Sequence, residues 1–399
     1  MADALTRTPR RARPERRYAV ATVPIPYGRQ TIEPDDIDAV VEVMRGDWLT
    51  QGPAVRAFEE SMMEACEVPY AVAFSSATAA LHGAAFAAGL GPGDEVVTSA
   101  ITFAASANCA AYVGATPRFA DIDPSTWNVS VETVEAAINE HTRALIPVHF
   151  TGLPAPISDL RQLGRDLVLI EDAAHAIGAR QADEPVGACR HSDMAVFSFH
   201  PVKTVTSGEG GMVTTRDSEL HRRLVEFRTH GMTKDPLRLE REEGGWYMEQ
   251  QSLGYNYRLS DIHAALGVSQ MRKLEAFVER RNALAARYHE LLGDLEVLEL
   301  APDARPPQRH GRHLYVIRHR GGSEARRRLY DGLRERGVLA QVHYLPVYLH
   351  PWYRDTYGYK VGLCPAAEAY YAGCLSLPCY PSLTTAQQDT VVEAVRALS

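Results

Sequence analysis

The chain contains no apolar run approaching the roughly 20 residues of a membrane-spanning helix, so no membrane segment is expected. Its six cysteines (Cys66, Cys109, Cys189, Cys364, Cys374 and Cys379) form no C-x-x-C pair. That removes the common zinc and redox motifs and any visible disulfide framework. Scattered thiols of this kind predict a reduced, cytoplasmic protein. Fifteen histidines occur without an H-E-x-x-H or similar spacing, so no metal is expected. No G-x-x-x-x-G-K-[ST] loop is present, which argues against a P-loop nucleotide site. Internal repeats and low-complexity tracts are also missing.

Positive charge is scarce overall. The net charge is −8 and the pI near 6.0, a balance that argues against a nucleic-acid partner. The exception is residues 1–20, where Arg7, Arg10, Arg11, Arg13, Arg16 and Arg17 face only Asp3 and Glu15. A like-charge block of this kind predicts a solvated, disordered tail. It has no apolar h-region, so it does not read as a secretory signal.

What the chain does have is alternation. Apolar runs at Tyr70–Phe74, Glu95–Thr98, Thr116–Ala120, Ala144–Val148, Leu167–Ile170 and Met194–Phe199 read as strands. Between them, Ala79–Gly89, Phe103–Val113, Val131–Asn139 and Ser158–Gly164 read as helices, with Ser76 and Ser130 among the N-cap candidates. The fold class is therefore α/β, with a doubly wound, mostly parallel sheet. Ligands in such sheets sit beyond the carboxyl ends of the strands. From about residue 270 the pattern changes. Met271–Leu292, Glu324–Gly337 and Thr385–Leu398 read as helices, and His313–Arg318 and Ala340–Tyr344 as strands. We expect a large domain over 21–269 and a smaller α+β domain over 270–399.

Two strand ends carry the chemistry. Leu167–Ile170 runs into Glu171-Asp172, with His175 three residues on. Alone, that acidic pair could be a helix cap, a ribose ligand or a metal ligand. Met194–Phe199 then runs into His200-Pro-Val-Lys203 and a glycine-rich stretch ending at Gly211. A lysine beside a desolvated strand end can supply an amine to a carbonyl cofactor. Pyridoxal phosphate needs such an amine and a carboxylate at its pyridine nitrogen, which keeps the ring an electron sink. Asp172 and Lys203 lie 31 residues apart on consecutive strand ends. Ser76-Ala77-Thr78 opens a helix at another strand end, where backbone N–H groups favour phosphate. Ser198 adds a hydroxyl.

Four motifs, Ser76-Ala77-Thr78, Glu171-Asp-Ala-Ala-His-Ala-Ile-Gly-Ala179, Ser198-Phe-His-Pro-Val-Lys-Thr204 with Gly208-Glu-Gly-Gly-Met212, and Gly254-Tyr-Asn-Tyr-Arg-Leu-Ser-Asp261, resemble the fold-type I pyridoxal-phosphate sugar-nucleotide aminotransferases. The likeness runs from about Ile25 to the C-terminus. It implies Lys203 as the Schiff-base lysine and proton shuttle, Asp172 as the pyridinium partner and His175 as a flanking ring contact. It implies Phe103 stacked on the ring, and Ser76, Ala77, Thr78 and Ser198 at the phosphate. It also implies Asn256 reaching the phosphate from a partner subunit, hence a homodimer with shared sites. Ala77 stands where much of the family has glycine, and its backbone N–H is retained.

Ile25-Pro-Tyr-Gly-Arg-Gln30, Asp47-Trp-Leu-Thr-Gln-Gly52, Trp246-Tyr-Met-Glu-Gln-Gln251 and Val342-His-Tyr-Leu-Pro346 are similar to the pseudaminic acid branch. There Tyr27, Thr50 and His343 would contact the nucleotide sugar. The implied reaction moves the amino group of L-glutamate to C4 of a UDP-4-keto-6-deoxy-N-acetylhexosamine. Perosamine-type and bacillosamine-type acceptors are the rivals. A non-catalytic cofactor or sugar-nucleotide binder is the rival of another class; it would not need both Asp172 and Lys203.

Overall fold

The computed structural model describes residues 24–164 and 166–399. The Arg-rich stretch expected as a tail lies outside them. Seven strands build the main sheet: β1 (Tyr70–Phe74), β2 (Glu95–Ser99), β3 (Thr116–Ala120), β4 (Thr142–Ile146), β5 (Val168–Asp172), β6 (Met194–Ser198) and β7 (Gly211–Thr215). Their order is β1-β7-β6-β5-β4-β2-β3. Every pair is parallel except those of β7, which runs antiparallel to both β1 and β6. All five residues of β6 are buried, as a strand covered on both faces requires.

Helices cover both faces. On one side α1 (Pro34–Arg45) and α2 (Pro53–Cys66) lie against the chain, with Phe58 and Met62 of α2 packed on Phe197 and Met212. On the other, α3 (Ala77–Ala87), α4 (Ala105–Tyr112) and α5 (Ser218–Phe227) bring Ala80, Ala84, Cys109 and Leu224 onto Val72, Val196 and Val213. Small side chains let the alanine-rich α3 sit close to the sheet. Helices α6 (Asp261–Met271) and α7 (Leu274–Leu292) lead to a three-stranded antiparallel sheet of β8 (Leu298–Glu299), β9 (Tyr315–His319) and β10 (Cys374–Leu377). Leu329 and Leu333 of α8 (Gly322–Glu335) and Val391 and Val395 of α9 (Thr385–Leu398) share a core with Val316 and Leu375 of that sheet.

Four sequence-based elements differ. The helix expected from Phe103 begins at Ala105, because Thr102 and Ser106 hydroxyls bond at 2.7 Å and Ser106 is drawn to Asp172. The helix expected over Val131–Asn139 ends at Glu135, and the Asn139 side chain instead accepts from the His141 N–H, closing a turn. Met271–Leu292 is broken at Arg272-Lys273, where Lys273 reaches Glu33, Asp35 and Asp36. The strand expected over Ala340–Tyr344 is Val338–Leu339, paired in parallel with Ile25–Pro26.

Candidate active site

Adjacent strands β5 and β6 end side by side, with Asp172 opposite Val196. Successive strand residues face opposite sides of a sheet. Asp172 borders the cavity described below: its Oδ2 accepts from the Ser106 hydroxyl at 2.5 Å and its Oδ1 from the Ala174 N–H at 3.1 Å. Glu171 is buried in a different network. Its Oε2 lies 2.8 Å from His149 Nε2, and the Ser192 hydroxyl donates to its Oε1. His149 Nδ1 accepts the Ala155 N–H at 2.9 Å, so the ring proton sits on Nε2 and is donated to Glu171.

Beyond β6 the chain makes a closed loop. Phe199 pairs with Gly210 and Ser207, and the Lys203 N–H donates to the His200 carbonyl at 2.9 Å. These bonds set Lys203 under the sheet end, half-buried, with Nζ 3.5 Å from His313 Nε2. Burial brings the lysine down to about 8; Asp172 works in the opposite direction and Arg281 adds to the lowering. A lysine in that range is a competent nucleophile and base near neutral pH.

Antiparallel β7 places Gly211 against the start of α3. A Cβ there would stand 2.4 Å from the Ser76 carbonyl oxygen and 2.6 Å from the Ala77 nitrogen, so only glycine fits. Ser76 caps α3, its hydroxyl accepting the Ala79 N–H at 3.2 Å. The N–H groups of Ala77 and Thr78 in the first turn have no helix carbonyl to bond. Both residues border the cavity.

The cavity holds about 530 Å³. Tyr27, Ser76, Ala77, Thr78, Phe103, Asp172, His175, Ser198, Lys203 and His343, ten of the sequence-derived residues, line it together. Phe103 is 61% exposed, leaving an aromatic face open to a ligand. Two of the expected residues lie elsewhere. Thr50 is exposed and bridged to Ser260, in a segment that Asp261 holds through the N–H groups of Gly52 and Ala54. Asn256 is exposed on the chain's surface, bridged to Thr229.

His313, His200 and Glu209 also line the cavity without a role assigned from the sequence, and Tyr344 joins them from the His343-Tyr344 stretch that resembles the pseudaminic acid branch. His313 was read only as the start of a strand, and no spacing marked it. Three histidines are kept neutral here. Burial, then the charge of Lys203, drives His175 and His313 well below the usual imidazole range and His343 to about 3. The buried His175 Nδ1 has no partner in the protein. Among the described residues no cluster suited to a metal ion occurs, and no helix is long and apolar enough to cross a membrane.

The arrangement joins a half-buried amine, a carboxylate, helix N–H donors and an open aromatic face. It suits a flat, anionic ligand bearing a carbonyl. Comparison with known proteins points the same way. The sequence profile of the DegT/DnrJ/EryC1/StrS aminotransferase family matches residues 30–396. The spore coat polysaccharide biosynthesis protein SpsC of Bacillus subtilis is 37% identical over 377 residues, 93% of this chain and 96% of that one. The structure of Helicobacter pylori PseC, an aminotransferase of pseudaminic acid biosynthesis, superposes with a TM-score of 0.87 at 31% identity, covering 94% of this chain and 99% of that one. The PLP form of Streptococcus pneumoniae Spr1654 does so with a TM-score of 0.87 at 28% identity, covering 94% and 98%.

Proposed function

Since the chain belongs to the DegT/DnrJ/EryC1/StrS aminotransferase family, it is an enzyme whose cofactor is pyridoxal phosphate, and we propose that it carries an amino group from L-glutamate to C4 of a UDP-4-keto-6-deoxy-N-acetylhexosamine. The observation that carries the chemistry is Asp172 and Lys203 on one cavity, with the Ala77 and Thr78 N–H groups at its edge. The cavity suits the cofactor in volume, in its anion donors and in the unpartnered His175 Nδ1. When bound, the cofactor supplies an aldehyde that takes up amines and a ring that accepts electrons.

In this reading Lys203 would hold the cofactor and, when free, would act as the acid and base that moves a proton at the substrate carbon. Asp172 would pair with the ring nitrogen, His175 would flank the ring and Phe103 would stack on it. Ser76, Ala77, Thr78 and Ser198 take the phosphate. Neutral His343 and Tyr27, their rings 5.0 Å apart, would contact the sugar nucleotide. Thr50 and Asn256 lie away from their own cavity, which suits a homodimer in which Asn256 of the partner subunit completes the phosphate site. The likeness to PseC supports the pseudaminic-type acceptor, and a cytoplasmic setting follows from soluble nucleotide-sugar substrates. We also divide the chain at residue 270, with 21–269 holding the cofactor and 270–399 closing over it.

The test is to incubate the holoenzyme with L-glutamate and UDP-, GDP- and dTDP-linked 4-keto-6-deoxy sugars, and to identify products by mass and NMR. Amination of the UDP-N-acetyl sugar at C4 is expected. Amination of only a GDP- or dTDP-sugar would reject the acceptor. The Lys203→Ala variant should lose both the lysine-dependent visible absorbance and turnover; full activity there would overturn the mechanism.

A further inference from the structure

His313 stands on no catalytic motif, yet its ring Nε2 lies within hydrogen-bond reach of the Lys203 amine, at 3.5 Å. Its backbone is held on both sides. The His313 N–H donates to the Thr151 carbonyl at 2.8 Å, and its carbonyl accepts from Arg281 Nη1 at 3.2 Å. The ring packs against His175, centroids 4.5 Å apart. It is 5% exposed, and its Nδ1 has no partner in the protein.

That last fact selects a tautomer. A buried N–H without an acceptor is rarer and costlier than a bare lone pair. The proton therefore sits on Nε2, the nitrogen that faces Lys203. An N–H pointed at an amine is accepted only by the neutral form, through its lone pair.

We propose that His313 is a positioning residue for Lys203, donating from Nε2 to the lysine amine and favouring its neutral, nucleophilic form. The proposal rests on Lys203 being the cofactor lysine only for its meaning in the reaction, not for its geometry. The charged and titratable groups around the amine are Asp172 at the end of β5, His175 beyond it, Arg281 on α7, His343, and Glu209 on the cavity wall. Burial and Arg281 favour the neutral amine, Asp172 the charged one. His313 adds a directed contact to the first side of that balance. It also keeps a freed lysine on one side of the cavity between its two proton transfers.

The chain has four lysines, Lys203, Lys234, Lys273 and Lys360, which makes the amine readable one residue at a time. Cofactor-free full-length enzyme is labelled with acetic anhydride across a pH series, and acetylation of the Lys203 peptide is followed by mass spectrometry. Exposed Lys234 and Lys360 serve as references. In the His313→Leu variant the Lys203 midpoint should rise by about one pH unit, the scale of one lost hydrogen bond. An apolar replacement by itself would lower it, so a mere packing change predicts the opposite sign. His313→Gln, whose amide N–H takes the place of Nε2, should return the midpoint most of the way. An unchanged or lowered midpoint in His313→Leu, or no rescue by His313→Gln, overturns the proposal. Because the assay uses neither cofactor nor sugar, its result is separate from that of the acceptor panel.

Discussion

Glu171 and Asp172 are consecutive residues of one strand that serve separate polar networks, Glu171 bonded to His149 and Ser192 and Asp172 to Ser106 at the cavity. Adjacent carboxylates on one strand cannot share a site, and their losses should differ in kind. Asp172→Ala should fold and lose turnover by about a hundredfold or more, the scale of a missing electrostatic partner in a catalytic site. Glu171→Ala should leave the His149 Nε2–H and the Ser192 hydroxyl buried without an acceptor, at about 1–3 kcal/mol each. Urea unfolding and steady-state rates on both variants check this; equal losses of activity at equal stability would refute the separation.

Four buried histidines should make the protein sensitive to mild acid. His175, His310 and His313 lie well below the ordinary imidazole range and His343 near 3, each chiefly through burial. Below about pH 6.5 the unfolded chain takes up these protons and the folded one does not. Stability is therefore unaffected by them above that pH and falls as pH drops below it. With all four engaged, the slope approaches about 5 kcal/mol per pH unit. Urea midpoints of the cofactor-free enzyme at pH 7.5 and 5.5 test this. A midpoint that does not move shows that the rings are charged in the fold.

The break between α6 and α7 has a measurable role. Lys273 Nζ lies 2.9 Å from Glu33, 2.7 Å from Asp35 and 2.9 Å from Asp36, and Asp36 is fully buried. Burial pushes the Asp36 carboxyl up, but the Glu33 N–H, Lys273 and Gln270, all bonded to its Oδ2, help hold it below its usual range. Its contribution is present above the ordinary carboxylate pKa and lost as pH falls through the lower folded value. Lys273→Met should cost about 3 kcal/mol, because it strands a buried charge. Adding Asp36→Asn should recover part of that loss, and a double-mutant cycle in urea reads the recovery.

Gly211→Ala should weaken cofactor binding without touching a side chain of the site. The added methyl would meet the Ser76 carbonyl and the Ala77 nitrogen, both backbone, so the start of α3 must shift. A tenfold or greater rise in the cofactor's Kd, read from visible absorbance during titration of the apoenzyme, is expected from misplacing N–H donors at an anion site. A Kd equal to that of the parent enzyme would show that the cradle tolerates the shift.

The strand ends were legible because β5 and β6 are buried on both faces and read as unbroken apolar runs, so Asp172 and Lys203 stood out as their polar termini. Ser76 was legible as a cap. His313 was not, since a histidine opening an apolar strand carries no periodic mark, and its distance to Lys203 is created by a contact 110 residues away in sequence. The helix expected over Met271–Leu292 starts three residues late, at Leu274, for a similar reason. Nothing local to Arg272-Lys273 interrupts a helical pattern; the interruption comes from acids near residue 35. Thr50 was expected near a ligand, and the Asp261 carboxylate that secures the neighbouring Gly52 and Ala54 could not be inferred from either segment alone.

The reversed strand β7 also sets a timetable for the newborn chain. Its register pairs Gly211 with both Phe74 and Ser198, so the helix start at Ser76 and the lysine loop after Ser198 acquire their common boundary only when β7 slots between β1 and β6. A ribosome must have emitted residues up to Thr215 before that pairing can form, and the walls supplied by His313, His343 and Tyr344 come later still. Truncated products ending before β7 would lack the completed cradle.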